Sequence, residues 1–154
     1  MSDADTRPDA LILGSGLAGL ATALRLLDAG GRVVLMDKEK RLGGNSVKAS
    51  SGINCYSMEP PADERCSDSH DSAAAFAADT AKSAHRDAGG LIGLMSESST
   101  GAVAWLRERA SVDLSCVSQL GGHTYARTLR PASGPVGAEV TYALVREVCL
   151  IKQI

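Results

Sequence analysis

Residues 9–37 read DALILGSGLAGLATALRLLDAGGRVVLMD. Ala10 to Leu13 is a short apolar run, the pattern of a strand buried on both faces. Gly14, Gly16 and Gly19 follow in G-x-G-x-x-G spacing, and Leu17, Leu20, Ala21, Leu24 and Leu27 then recur at helical intervals. Gly30 and Gly31 stop that helix, because glycine tolerates the left-handed cap. Arg32 to Met36 is a second apolar strand, ending at Asp37. Each residue type has a physical task. Gly14 permits a tight turn, Gly16 lets a pyrophosphate approach the backbone, and Gly19 lets the helix lie close to the sheet. The helix N-terminus offers unpaired N–H groups and partial positive charge to the phosphates. Asp37, at the tip of the second strand, can accept hydrogen bonds from both ribose hydroxyls. Its charge disfavours a 2′-phosphate and so argues against NADP. Strand, helix and terminal acid all stand where a dinucleotide site requires them. The alternative, a glycine-rich turn in some other βαβ unit, leaves Asp37 unexplained. This stretch does not by itself separate FAD from NAD.

Outward from Asp37, Lys38 to Arg41 is a charged link. LGGNSVKASSGIN, residues 42–54, makes a poor helix and a poor strand but a good loop whose backbone can lie against a ligand. Asn45, Ser46, Ser50 and Ser51 add donors and acceptors without bulk. Placed directly after the ribose acid, the loop reads as a second wall of the cofactor site rather than a plain surface loop. Cys55 to His70 is polar, contains Pro60 and Pro61, and is expected to be exposed. Asp71 or Ser72 can cap the helix that AAAFAADTAKSA predicts. Gly89 and Gly90 break it. Two further helices are predicted, Leu91 to Ser98 and Thr100 to Ala110, with Trp105 packing helices together. Val112 to Val117 is a short strand candidate. QLGGHTYARTLRP, residues 119–131, gathers His123, Thr124, Arg127, Thr128 and Arg130. His123 reads as structural. Arg127 and Arg130 are spaced to reach one anion, or to serve as surface charges or internal ion-pair partners. A last helix spans about Val136 to Cys149.

The formal net charge is −2, with no basic cluster, so nothing points to nucleic acid. No apolar run reaches membrane-spanning length, and MSDADTRPD lacks a signal-peptide core. Cys55, Cys66, Cys116 and Cys149 form no C-x-x-C pair and no zinc spacing. Reduced thiols are the expectation, in the cytoplasm or an organelle lumen. The fold class is α/β: a Rossmann-like βαβ unit followed by helices, with an incomplete doubly wound sheet.

GSGLAGLATALRL, GGNSVKASSGIN, DSAAAFAADT, WLRERASVDLSCVSQLGGHTYART and the last helix together resemble the flavoprotein subunits of the fumarate reductase and succinate dehydrogenase family. They look most similar to its soluble, single-chain, NADH-dependent type. The resemblance covers nearly the whole chain apart from residues 55–70. It implies FAD, held by Gly14, Ser15, Gly16, Ala18 and Gly19 at the diphosphate and by Asp37, beside Lys38, at the adenosine ribose. It carries over Gly44, Asn45, Ser46, Ser51 and Gly52 as contacts toward the flavin. It also implies hydride delivery from reduced flavin to fumarate, giving succinate, so a small dicarboxylate is the expected partner. Membrane-bound members place a histidine, the point of covalent flavin attachment, where this chain has Asn45; non-covalent FAD is therefore expected. A Ser51–Gly52 pair replaces the usual two glycines.

In that reading residues 1–8 are a disordered lead-in, and 9–154 are the N-terminal part of an FAD-binding domain. Its sheet would be completed by sequence beyond Ile154, fed by the last helix as a crossover. The family's substrate-binding histidine, threonine and arginine groups lie beyond that point, so no catalytic residue is assigned. The chain alone is expected to retain FAD weakly and reduce no fumarate. The competing readings are another flavin enzyme of the superfamily, of L-aspartate oxidase or ketosteroid dehydrogenase type, and a truncated, non-catalytic remnant.

Overall fold

The computed structural model describes residues 7–56, 71–85 and 90–151. In chain order the elements are β1 (Ala10–Leu13), α1 (Leu17–Asp28), β2 (Val33–Met36), a 3-10 turn (Gly44–Lys48), β3 (Ile53–Asn54), α2 (Ala73–Ala84), α3 (Leu91–Ala110), β4 (Cys116–Ser118), β5 (Thr128–Arg130) and α4 (Val136–Leu150). The chain divides into two compact units, one of Met1–Ser50 with Gly137–Ile154, the other of Ser51–Val136. The expected lead-in up to residue 6, most of the expected exposed loop (57–70) and Cys66 lie outside the described residues.

The first unit is built on the βαβ stretch. β1 and β2 pair in parallel, from Ala10 opposite Val33 to Leu13 opposite Met36. Leu20, Ala23 and Leu24 of α1 are buried, the helical stripe that the sequence period requires. α1 ends as predicted: the Gly31 N–H donates to the Leu26 carbonyl and the Gly30 N–H to that of Leu27, with Gly30 left-handed, the Schellman pattern. One expectation fails. The strands are not buried on both faces: Leu11 is 58% and Leu13 77% exposed, and Val34 and Met36 are exposed beside them. Ile12 points the other way, toward Gly19 of α1. Among the described residues a helix covers one face of this pair. A continuous apolar run announces a strand but not which of its faces is covered.

The second unit pairs helices with a small antiparallel sheet of order β3-β5-β4. Ile53 faces Leu129, and Val117 faces Leu129 from the other side. α2 begins where its cap predicts, with Ser72 Oγ accepting from the Ala75 N–H at 3.1 Å. The two helices expected between Leu91 and Ala110 are one. The Ser98–Ser99–Thr100–Gly101 run suggests a break, but Ser99 turns its hydroxyl back to donate to the Ser96 carbonyl at 2.9 Å, which keeps the polar group inside the helix. Ser96, Ser99, Val103, Leu106 and Ala110 form the buried stripe of α3, and small residues there permit close packing. Trp105 lies off that stripe and is only half-buried.

The strand expected at Val112–Val117 is confined to β4. Val112 and Leu114 are buried, yet the Val112 N–H donates to the Leu106 carbonyl and Arg107 donates to the Leu114 carbonyl at 2.8 Å. The segment thus closes on the end of α3 instead of on a strand. The loop expected over 42–54 contains the 3-10 turn and β3. Cys55, expected as exposed, is buried, because its N–H donates to the Arg127 carbonyl and prolongs the β3–β5 pairing. Burial pushes the Cys55 thiol up from its ordinary range.

Candidate functional site

The site grows from the end of β1. The Gly14 N–H donates to the Met36 carbonyl at 2.7 Å, which closes the strand pair at its C-terminal end. The chain then turns into α1 through Gly16, whose extended conformation serves as the N-cap without any side-chain bond. Gly19 shows the close approach that its residue type predicts: a Cβ there would overlap the Gly14 carbonyl oxygen and press on Ile12. The first N–H groups of a helix have no acceptor within it. Here the Leu17 N–H is met from outside by Ser46 Oγ at 3.0 Å. The N–H groups of Ala18 and Gly19 face the same end, where the helix carries partial positive charge.

Ser46 stands on the 3-10 turn of Gly44–Lys48, and that turn lies against the start of α1. A Cβ on Gly44 would come within 3.5 Å of the Gly16 Cα, and one on Gly16 within 3.6 Å of Ser46 Oγ. From the other side α4 supports the turn. The Gly137 N–H donates to the Ala49 carbonyl at 2.8 Å, and a Cβ on Gly137 would overlap the Ser46 carbonyl oxygen and lie 2.7 Å from the Ala49 nitrogen. Gly43 fits equally tightly, since a Cβ there would fall 2.9 Å from Thr141 Cγ2 of α4. Asn45 is exposed on the turn.

Asp37 follows β2. Its Oδ2 accepts from the Ser15 N–H at 2.7 Å and also from Ser15 Oγ; its Oδ1 accepts from the Glu39 N–H at 2.9 Å. These bonds, the Ser15 hydroxyl first, hold its carboxyl down at about 2. It is therefore ionised throughout the neutral range. Lys38 is exposed beside it.

Gly14, Ser15, Gly16, Ala18, Gly19, Asp37, Lys38, Gly44, Asn45 and Ser46 thus gather at one end of the first unit. Ser51 and Gly52 belong to the second unit. There Gly52 lies against β5: a Cβ would overlap Thr128 Cγ2 and stand 2.7 Å from the Leu129 carbonyl oxygen. Gly43 and Gly137 were not singled out by sequence reasoning. For Gly137 the available signal is a glycine one residue inside a predicted helix, where glycine is a poor helix former.

The second unit resolves the arginine question. Arg127 is wholly buried. Its Nη2 and Nε donate to the two oxygens of Asp71 at 2.6 and 3.1 Å, and its Nη1 donates to Asp79 at 2.8 Å. The guanidinium carbon stands 5.0 Å from the Phe76 ring centre and 5.8 Å from that of Tyr125. Of the three readings open for Arg127, the internal ion pair is the one realised. Arg130 is exposed on β5. The Thr124 backbone N–H, with the Thr124 hydroxyl and Arg127 adding to it, holds the Asp79 carboxyl below its ordinary range. His123 packs its ring against Phe76. Among the described residues, no cluster of side chains could hold a metal ion, and no helix is long and apolar enough to cross a membrane.

A parallel βαβ unit, a glycine-rich turn at the helix N-terminus and an ionised acid at the tip of β2 define a dinucleotide-binding α/β protein. The comparison with protein families specifies the dinucleotide. The FAD binding domain family matches residues 9–151, and the chain belongs to it; FAD is the cofactor. The chain is 41% identical over 122 residues to the fumarate reductase of Schizosaccharomyces pombe, covering 79% of this chain and 23% of that protein. It is 38% identical over 137 residues to fumarate reductase 1 of Saccharomyces cerevisiae, covering 87% of this chain and 28% of that one. In three dimensions it matches the open conformation of a flavocytochrome c3 fumarate reductase with a TM-score of 0.79 and 28% identity, over 93% of this chain and 25% of the other. The chain thus spans about a quarter of the length of these relatives.

Proposed function

We propose that this chain is the FAD-holding portion of a fumarate-reductase-type oxidoreductase. When bound, the flavin supplies hydride transfer to the double bond of a small dicarboxylate, fumarate, giving succinate. This chain's own residues bind and orient the cofactor. Gly14, Gly16, Ala18 and Gly19 present backbone at the diphosphate, with Ser15 as the buried member of that loop. Asp37 takes the adenosine ribose, and its negative charge excludes a 2′-phosphate. Lys38 lies at the same edge. Gly44, Asn45 and Ser46 contact the cofactor toward its flavin end. An amide at Asn45 forms no covalent link to the flavin, so the FAD is held non-covalently.

One observation carries this reading: Ser46 Oγ meets the Leu17 N–H, so the second loop lies on the helix N-terminus where a diphosphate would be received. The names of the relatives support the substrate. The test uses the full-length protein, with flavin absorbance and fumarate-dependent oxidation of a reduced viologen dye as readouts. Bound flavin released into the supernatant by acid, together with fumarate turnover, is the expected result. Absence of flavin under every expression condition would refute the cofactor site. Flavin retained by the protein on a denaturing gel would refute non-covalent binding. Flavin without fumarate turnover would refute the substrate.

A further inference from the structure

We propose that Ser15 is a positioning residue that ties the ribose acid to the second cofactor loop without touching the ligand itself. The inference rests on the assignment of Asp37 to the ribose. Ser15 is 0% exposed, so its side chain is closed off from any ligand by the protein around it. Its backbone N–H and its hydroxyl both donate to Asp37 Oδ2. The same hydroxyl oxygen accepts from the Gly43 N–H at 3.0 Å. A hydroxyl has one proton to give and lone pairs to receive, and here both capacities are used in one line: Gly43 N–H to Ser15 Oγ–H to Asp37 carboxylate.

The consequence is geometric. The β1–α1 turn is tied to both the tip of β2 and the entry to the 3-10 turn, each more than twenty residues further on, by a single buried hydroxyl. With Oδ2 held by two donors, the carboxylate cannot rotate, and the side of Oδ1 away from the Glu39 N–H is what remains to meet a diol. Gly43 immediately precedes Gly44–Lys48, a turn that the Leu17 N–H and α4 also hold, so the hydroxyl acts on the ligand chiefly through Asp37. A charged acceptor strengthens such bonds. Loss of the hydroxyl frees Asp37 to turn and leaves the Gly43 N–H, on a buried residue, without an acceptor.

The experiment measures FAD and ADP affinity of the full-length apoprotein for Ser15→Ala, Asp37→Ala and the double variant, with thermal unfolding as a control. Ser15→Cys is included because it fills nearly the same space with a much weaker donor, and so reports on the hydrogen bonds even where Ser15→Ala fails to fold. Ser15→Ala and Ser15→Cys are each expected to weaken FAD and ADP by roughly tenfold or more. FMN, which lacks the adenosine ribose, should be affected far less. The double variant should bind no worse than Asp37→Ala alone to within about threefold, the non-additivity expected of groups acting through one another. Ser15 effects that simply add to those of Asp37→Ala, or Ser15 variants with unchanged affinity where Asp37→Ala is weakened, would overturn the proposal. An Asp37→Ala protein with wild-type FAD affinity would instead overturn the ribose assignment beneath it.

Discussion

The two units fix a loop against a helix by opposite means. In the first unit the fixing is done largely by absence. Gly19 and Gly137 lack the side chains that would hold backbone apart, and single hydroxyls, Ser46 on the Leu17 N–H and Ser15 on the Gly43 N–H, add the polar contacts. In the second unit it is done by a charge taken out of water. Arg127 is wholly buried between two aspartates, with aromatic rings on its flanks. The Arg127 carbonyl then receives the Cys55 N–H, and Thr128 next to it bonds Asn54 at 2.8 Å. A ligand that needs backbone N–H groups is served by the first strategy, since bare backbone is what it contacts. The second strategy gives a hairpin a fixed place relative to α2, and all the donors of the central charge face inward.

The contrast can be broken most severely at the buried charge. Arg127→Ala leaves Asp71 and Asp79 without their shared cation, Asp71 in a site where its side chain is only 6% exposed. Removing one partner from such a cluster typically costs about 3–5 kcal/mol, so urea unfolding of the full-length protein should show a loss of that order. A loss below about 1 kcal/mol would mean that the cluster is not what anchors β5. The glycine strategy is broken more mildly. Gly137→Ala sets a methyl group against the Ser46 carbonyl and the Ala49 nitrogen, which are backbone atoms without rotamers to yield. Overpacking of this kind costs about 1–3 kcal/mol. It should lower FAD affinity as well as stability, because the displaced turn carries Ser46. Unchanged FAD affinity in Gly137→Ala would show that α4 does not position that turn. The finest test lies at the N-terminus of α2, next to Asp71 of the buried charge cluster. Ser72→Ala removes the cap of α2 and should cost about 1 kcal/mol in the same unfolding measurement, with no effect on FAD. An effect on FAD affinity would mean that α2 is coupled to cofactor binding.

Local physics made the first unit legible in advance. The strand, the helix period, the glycine spacing and the acid at Asp37 lie within residues 9–37, so their geometry is set by neighbours in the chain. The αL residue at Gly30 and the close approach at Gly19 are legible from residue type alone, and the α2 cap is narrowed to Asp71 or Ser72, because each answers a requirement of the adjacent backbone. The second unit was far less legible. β3 and β5 are two and three residues long, and they exist because Asn54 and Thr128, distant in sequence, come to lie opposite each other. No periodicity announces such a pairing. Arg127 looked equally fit to bind an anion, to face solvent or to sit in an ion pair. Only the placement of Asp71 and Asp79 on and beside α2 chose among the three.

Sequence by itself determined the class: a βαβ unit with a glycine-lined helix N-terminus and an acid at the tip of β2, each demanded by backbone sterics and charge over short distances. The tertiary structure decided which faces are covered, which arginine is buried and which glycines are structural. It also decided that a serine in the glycine loop turns inward toward Asp37. Those outcomes depend on atoms far apart along the chain. Exposure, pairing and the direction of a hydroxyl are properties of neighbours in space, and the one-dimensional pattern does not contain them.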